Sequence, residues 1–232
     1  MDGPNASPVS YASRQAADAA ASAWLLERLE RILAEKDHAV FGVVGGRSVS
    51  GILSLLVQEQ LPWEQVHVFL LDERLVEKGS AESNATAIAP LFSRARFHPF
   101  LVDGTEQASP LPALHRYEAE LAQVGRRFDL ILLSAGEDGH IASLFPRHPA
   151  LSDQHQGFIL VEHAPKQPPE RMSASKSLIA SATGGLLLFY GEGKRHALEM
   201  FEDPSVPEDD CPAKIVLSLP CRRVVTDLQE RN

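Results

Sequence analysis

Apolar runs separated by amphipathic stretches recur along most of the chain. The runs bounded by turn residues, a pattern typical of buried strands, cover residues 39–44, 66–71, 128–133 and 184–190. Residues 11–36 instead carry a helical stripe made of Leu25, Leu29, Ile32 and Leu33. Because strands alternate with helices, the pattern predicts an α/β fold: a mostly parallel, Rossmann-like open sheet with helices on both faces.

Shorter elements continue the same alternation. We expect helices over 85–92 and 111–124, a helix ending at residue 201, and strands over 97–102, 156–162 and 217–225. Pro220 forces a turn or an edge position in the last strand because proline cannot donate to a sheet ladder. The 232 residues suffice for one large core, so we predict a single domain over 1–232 with a flexible tail at 1–10.

Composition and charge narrow the functional classes. A hydrophobic fraction of 44% excludes a disordered chain, and no apolar run approaches the roughly 20 residues needed to cross a bilayer. Residues 1–8 lack the basic and apolar parts of a secretory signal, so we expect a cytoplasmic protein whose Cys211 and Cys221 are reduced. A net charge of −9 argues against nucleic-acid binding, so we expect neither a nucleic-acid nor a membrane partner.

Polar clusters follow the predicted strands at 45–48, 72–74, 136–140 and 191–194. In a parallel sheet, ligands bind beyond the carboxyl ends of the strands, so a common strand direction would gather these clusters at one edge. The glycines of the first cluster let a ligand approach the backbone, and the helix after them offers free N–H groups to an anion. The third cluster contains His140, and imidazole suits acid–base chemistry because it changes charge near neutral pH.

Residues 136–146 read G-E-D-G-H-I-A-S-L-F-P. This segment resembles the signature of the 6-phosphogluconolactonase family, in which D-G-H-T-A-S-L-F-P is typical, with Ile141 where threonine is usual. The related glucosamine-6-phosphate deaminase/isomerase family shares G-x-D-G-H-I-A but continues with a polar F-N-E-P. Ser143 to Pro146 follow the lactonase version.

Other segments between residues 40 and 194 support the resemblance. G-G-R-S at 45–48 is similar to the family's G-G-x-T-P, and D-E-R-x-V at 72–76 matches the lactonase version where deaminases have D-E-Y. R-M-S-A-S at 171–175 resembles the family's R-I-T-L-T, and a lysine is usual at the position of Lys194. These matches favour the lactonase branch.

The resemblance implies hydrolysis of 6-phospho-D-glucono-1,5-lactone to 6-phospho-D-gluconate, the second step of the oxidative pentose phosphate pathway. We predict that His140 is the general base and acid, Asp138 orients it, and Arg74 stabilises the oxyanion. We predict no metal and no cofactor, because the sequence contains neither H-E-x-x-H nor a Cys/His cluster. The residues predicted to bind the phosphorylated sugar lactone are Gly45, Gly46, Arg47, Ser48, Asp72, Arg171 and Lys194.

Two other functions remain open from the sequence. A sugar-phosphate isomerase or deaminase needs a base to move a proton at carbon, and Asp72 could serve. A phosphosugar-sensing module is the third interpretation, although such regulators carry an added DNA-binding segment and no basic helical segment precedes Tyr11. We weigh helix capping and ligand contact equally for Asn84, and we assign Ser143 to capping or packing.

Overall fold

A computed structural model describes residues 7–102 and 109–229 of the chain. Its main sheet has seven strands, and every neighbouring pair is parallel. In spatial order the strands are β1 (Val9–Ser10), β10 (Cys221–Thr226), β9 (Gly184–Phe189), β6 (Leu130–Ser134), β2 (Ala39–Val43), β3 (Val66–Leu70) and β5 (Arg96–His98). The predicted parallel α/β sheet is confirmed.

A second, antiparallel sheet lies beside the first. It consists of β4 (Asp72–Arg74), β8 (Arg171–Ala174) and β7 (Phe158–Val161), with β8 in the middle. Two backbone hydrogen bonds tie it to the main sheet: Leu71 donates to Val43 at 2.8 Å, and Ala174 donates to Leu71 at 2.6 Å. The D-E-R cluster, expected as polar residues after a strand, is therefore itself a strand.

Six α-helices connect the strands within the described residues: α1 (Arg14–Glu35), α2 (Arg47–Leu56), α3 (Asn84–Ile88), α4 (Leu111–Gln123), α5 (Lys176–Ala180) and α6 (Arg195–Glu202). α1 packs against α2, β2 and β10, whereas α6 packs against β9. Ser13, Ser83 and Ser175 cap α1, α3 and α5, because each hydroxyl accepts a backbone N–H of the first turn. None of the helices of residues 7–102 and 109–229 has the length and apolar character to cross a membrane.

The four central strands, β9, β6, β2 and β3, determine where the polar clusters lie. β2, β3 and β9 are buried along their whole length, and only Ser134 at the end of β6 is partly exposed. These strands are consecutive neighbours in the sheet and run in one direction. The segments that leave their carboxyl ends therefore meet at one edge, as the sequence predicted.

Several predicted boundaries need correction. Val9 and Ser10 pair with Val225 and Thr226, so the expected tail at 1–10 is shorter, and its residues 1–6 lie outside the described part. The strand predicted at 97–102 is shorter and begins one residue earlier, and the helix predicted at 85–92 ends at Ile88. The last strand begins at Cys221, because Pro212–Ser218 forms a 3-10 helix and proline precedes the strand.

Candidate active site

A cavity of about 220 Å³ lies at the carboxyl edge of the four central strands. All of the predicted substrate-binding residues line it, together with two of the predicted catalytic residues: Gly45, Gly46, Arg47, Ser48, Asp72, Arg74, His140, Arg171 and Lys194. A larger cavity of about 860 Å³ is lined by four glutamates, Glu77, Glu82, Glu162 and Glu170, and Lys78 is the one cationic side chain among the described residues around it. Its acidic lining does not suit an anionic substrate, so the smaller cavity is the candidate site.

His140 is fixed at this cavity by its own loop. Its Nδ1 lies 2.5 Å from Oδ1 of Asp138, and the imidazole packs on the ring of Phe145 with 4.6 Å between centroids. The carbonyl of His140 accepts the N–H of Gly136 at 2.7 Å. A Cβ at Gly136 would lie 1.9 Å from Nδ1, so this position has room only for glycine. Because Nδ1 faces a carboxylate, Nε2 is the ring nitrogen left to exchange a proton.

Asp138 does not line the cavity, but its carboxylate contacts and orients the imidazole of His140, which does line it. Burial of the Asp138 carboxyl acts to raise its pKa. The hydrogen bond from His140 and the charges of His140 and Lys166 act in the other direction and are stronger, so the pKa of Asp138 lies well below its usual range. Lys166 Nζ lies 3.7 Å from Oδ1 of Asp138. An ionised Asp138 therefore fixes the tautomer of His140 across neutral pH.

The glycine turn after β2 leads directly into α2. Gly46 has φ 103°, a conformation that favours glycine, and it is the residue before the first turn of α2. Arg14 of α1 stabilises the turn, because its Nη2 donates hydrogen bonds to the carbonyl of Ser48 at 2.6 Å and to that of Arg47 at 3.2 Å. The exposed Arg47 side chain and the free N–H groups at the start of α2 are then available to an anion.

Arg74 reaches the cavity from the end of β4. Its Nη1 donates to the carbonyl of Glu82 at 2.5 Å, and its backbone N–H donates to Oε1 of Glu73 at 2.7 Å. Glu73 is buried and also accepts the backbone N–H groups of Asn84 and Ala85, each at 2.7 Å. Glu73 therefore anchors α3 to β4, which fixes the backbone that carries Arg74.

Asp72 lies at the base of the cavity and is only 5% exposed. Burial raises the pKa of its carboxyl, although the charges of Arg74, Arg171 and His140 oppose that rise. The Asn84 side-chain amide donates to the carbonyl of Asp72 at 2.9 Å and to its Oδ1 at 3.3 Å. Ser83 is the cap of α3, so the structure places Asn84 at the cavity instead.

Ser143 lies in the interior beside Asp72. Its hydroxyl is fully buried and donates to Oδ2 of Asp72 at 3.0 Å. This burial agrees with the packing role expected for Ser143, and its side chain also joins the D-G-H loop to β4.

Arg171 lines the cavity, but most of its donors are already used. Nε donates to the carbonyl of Pro168 at 2.9 Å, and Nη2 donates to those of Lys166 and Gln167 at 3.0 and 3.2 Å. The guanidinium also lies over the ring of Phe145, 5.5 Å from its centroid. Arg171 thus holds the 166–168 segment in place, and Nη1 is the nitrogen left to face a ligand.

Lys194 lines the cavity from the turn after β9. Burial lowers the pKa of its ammonium, and the nearby charge of Lys166 acts in the same direction. The carboxylates of Glu137 and Asp138 lie near Lys194 as well and oppose this decrease. In the described part of the chain, no group of three or more His, Cys, Asp and Glu side chains is arranged to hold a metal ion.

Comparison with known proteins agrees with this arrangement. A family model described as glucosamine-6-phosphate isomerases/6-phosphogluconolactonase matches residues 12–226. The chain belongs to this family. The 6-phosphogluconolactonase of Borreliella burgdorferi is 32% identical over 206 residues, which cover 84% of this chain and 86% of that protein.

Solved structures within the glucosamine-6-phosphate isomerase/6-phosphogluconolactonase family share the fold. The crystal structure of 6-phosphogluconolactonase from Thermotoga maritima is 27% identical and superimposes with a TM-score of 0.74, covering 88% of this chain and 94% of that one. A 6-phosphogluconolactonase structure from Shewanella baltica, at 23% identity, has a TM-score of 0.81 over 97% of this chain and 99% of that one. The two-sheet architecture is therefore that of the family.

The sequence did not predict the contacts that Lys166 and Ser143 make at the site. Lys166 belongs to none of the motifs, and its place beside Asp138 depends on the hydrogen bonds by which Arg171 holds the 166–168 segment. Ser143 was visible only as part of the S-L-F-P motif, and its partner Asp72 lies 71 residues away in the chain. Neither contact has a local signal in the sequence.

Proposed function

We propose that this protein hydrolyses 6-phospho-D-glucono-1,5-lactone to 6-phospho-D-gluconate. Membership of the family supports the substrate class, and the relatives named above are 6-phosphogluconolactonases. The observation that carries the proposal is the His140–Asp138 pair at a cavity that Arg47, Arg74 and Lys194 also line. An anionic sugar ester and a water molecule need this combination of a base with several cations.

His140 acts first as a base in this scheme. Because Asp138 fixes Nδ1 in its protonated form, Nε2 accepts a proton from water as the water oxygen bonds to the lactone carbonyl carbon. The tetrahedral intermediate then collapses and its bond to the ring oxygen breaks. The ring oxygen takes the proton back from Nε2, which leaves a hydroxyl on the sugar and a carboxylic acid that ionises. The scheme uses no metal and no cofactor.

Arg74 stabilises the oxyanion in this proposal. A tetrahedral intermediate places a negative charge on the former carbonyl oxygen, and a prepositioned donor stabilises that charge more than it stabilises the ground state. The guanidinium of Arg74 is held by the carbonyl of Glu82 and by the anchored backbone of β4. It therefore does not need to reorganise as the charge develops.

The phosphate binds at Arg47, Ser48 and Lys194 in this proposal. Arg47 and Ser48 stand at the start of α2, where free backbone N–H groups attract anions, and Lys194 faces the same cavity. Arg171 contributes Nη1 and otherwise holds its own loop. The test is to add purified protein to freshly generated 6-phosphogluconolactone and to follow acid release. A rate equal to spontaneous hydrolysis would contradict the proposed function.

A further inference from the structure

The hydroxyl of Ser143 is committed to a single acceptor. The backbone N–H of Ser143 donates to Oγ of Ser173 at 3.2 Å, and Oγ of Ser173 donates to the carbonyl of Ala174 at 3.0 Å. Both serines are fully buried, so water does not compete with these contacts. A hydroxyl has one proton to give, and that of Ser143 points at Oδ2 of Asp72. Oδ2 therefore accepts this bond, as an ionised carboxylate does.

Arginine, histidine and asparagine side chains surround Asp72. Arg74 approaches from β4, Arg171 from β8 and His140 from the D-G-H loop, while Asn84 of α3 adds a neutral donor. An ionised Asp72 attracts both guanidinium groups, whereas a protonated Asp72 does not. The state of this buried carboxyl therefore affects two cations that line the cavity.

We propose that Ser143 is a positioning residue: its hydroxyl keeps the Asp72 carboxylate ionised and oriented, so that a negative charge stays near the guanidinium groups of Arg74 and Arg171, which face each other across β4 and β8. The inference rests on the proposed function for its catalytic consequence. Its structural part, the ionised and oriented carboxylate, stands on the buried contact alone.

The sign of the pH effect follows from the burial of Asp72. Burial raises the pKa of this carboxyl and the Ser143 hydrogen bond lowers it, so loss of the hydroxyl raises the pKa of Asp72 further. The folded protein then binds more protons than the unfolded chain across a wider pH range, and stability increases as the pH falls through that range. The destabilisation caused by Ser143→Ala is accordingly largest above the folded pKa and shrinks towards acid pH.

Urea unfolding at several pH values tests this prediction without any activity measurement. Ser143→Ala is compared with Ser175→Ala, which removes another fully buried hydroxyl, one that accepts the N–H of Leu178 and is not a hydrogen-bond partner of Asp72. We expect the stability deficit of Ser143→Ala to narrow in a series that runs from pH 8 towards acid pH, and that of Ser175→Ala to stay constant. If the two deficits remain parallel across this range, the proposal is wrong.

The pH profile of lactone hydrolysis gives the second test. A hydrogen bond to a charged group typically stabilises it enough to move its titration by about one pH unit. In this scheme kcat/KM needs a neutral His140 and an ionised Asp72, so both groups shape its acid limb. We therefore expect Ser143→Ala to move the part of this limb that belongs to Asp72 to higher pH by about one unit, with Ser175→Ala unchanged. A uniform loss at all pH values, with the limb in place, would show a merely structural role and overturn the proposal.

The inference requires the expected result both in the urea series and in the pH profile of hydrolysis. Failure of the proposed function can be recognised separately. A wild-type protein without lactonase activity would end the functional proposal, and the urea series alone would then decide whether Ser143 keeps Asp72 ionised. If Ser143→Ala does not fold, Ser143→Cys occupies the same site with a weaker donor and enters the same two measurements. Parallel behaviour of Ser143→Cys and Ser175→Ala would count against the inference in the same way.

Discussion

At the residue scale, His140 and Asp138 meet because the chain turns sharply between them. Gly139 has φ 82°, a conformation that favours glycine, and its N–H donates to the carbonyl of Gly136 at 3.2 Å. In an extended segment, two residues that are two positions apart would point to the same face but lie roughly 7 Å apart, whereas here the turn brings the carboxylate and the imidazole within hydrogen-bond distance. The backbone conformation of Gly139 thus brings Asp138 to the imidazole of His140 and lets it orient that ring.

Replacement of His140 tests its role as the base. We expect His140→Asn to lower kcat by on the order of a hundred- to ten-thousandfold while folding and KM change little, because a proton acceptor is lost and not core volume. His155→Asn is the matched control, since His155 also contacts a carboxylate, that of Glu118, but at another surface. Steady-state kinetics above the spontaneous background decide the outcome. Unchanged turnover in His140→Asn would reject this assignment.

Arg74→Lys keeps the charge but loses the planar fork of donors. A lysine ammonium is a point charge on a flexible stem and cannot reproduce the rigid spacing with which the guanidinium holds the carbonyl of Glu82 and faces the oxyanion, so we expect kcat to fall roughly tenfold or more. Arg94→Lys serves as the control, because Arg94 also donates to a carbonyl, that of Val57, away from the cavity. An effect on KM alone would place Arg74 in substrate binding and not in transition-state stabilisation.

At the element scale, the site depends on segments that follow adjacent parallel strands. The sequence predicted these strands correctly, because fully buried strands give continuous apolar runs such as residues 128–133. It did not predict the second sheet. β4 and β8 read D-E-R and R-M-S-A, which show neither an apolar run nor an alternation, and their pairing joins residues far apart in the chain. Such short strands exist only because tertiary contacts stabilise them.

The same reasoning explains what the sequence predicted of the site. His140, Asp138 and the glycine turn are local motifs that follow predicted strands, so their position at the sheet edge could be inferred. Lys166 and Ser143 enter through long-range contacts with Asp138 and Asp72, which no local pattern encodes. The sequence therefore predicts which loops form the site better than it predicts which side chains support them.

Gly136→Ala tests the dependence of the site on the loop after β6. A Cβ there would lie 1.9 Å from Nδ1 of His140, so the ring must move and turnover should fall at least as far as in His140→Asn. Gly184→Ala in β9 is the control, since its Cβ would meet no atom closer than 3.4 Å. Circular dichroism should show an intact fold in both variants. Full activity in Gly136→Ala would mean that the loop is not a rigid support for His140.

At the scale of the whole molecule, a chain with a net charge of −9 gathers cations at one edge of its sheet. Such a local concentration is what an acidic protein needs to bind an anion. Part of the arrangement is held by backbone carbonyls: those of Lys166, Gln167 and Pro168 accept from Arg171. The fold thereby presents positive charge without neutralising all of it with carboxylates.

Lys194→Ala tests whether this positive edge recognises the phosphate. We expect KM for 6-phosphogluconolactone to rise about tenfold or more, because a charge-assisted contact is lost, and that for unphosphorylated gluconolactone to change little. Lys176→Ala removes a half-exposed lysine that pairs with Glu208 outside the cavity, and it should affect neither substrate. Equal losses for both lactones would show that Lys194 supports the fold or the carbonyl end.

The most direct measurement compares the two chemistries of the family on one preparation of the protein. Freshly generated 6-phosphogluconolactone and glucosamine 6-phosphate are supplied in parallel, and acid release and ammonia release are followed with wild type and with His140→Asn. We predict acid release well above spontaneous hydrolysis by the wild type alone, and no ammonia from either protein. Ammonia release at an enzymatic rate, with lactone hydrolysis at background, would contradict the account and make this chain a deaminase.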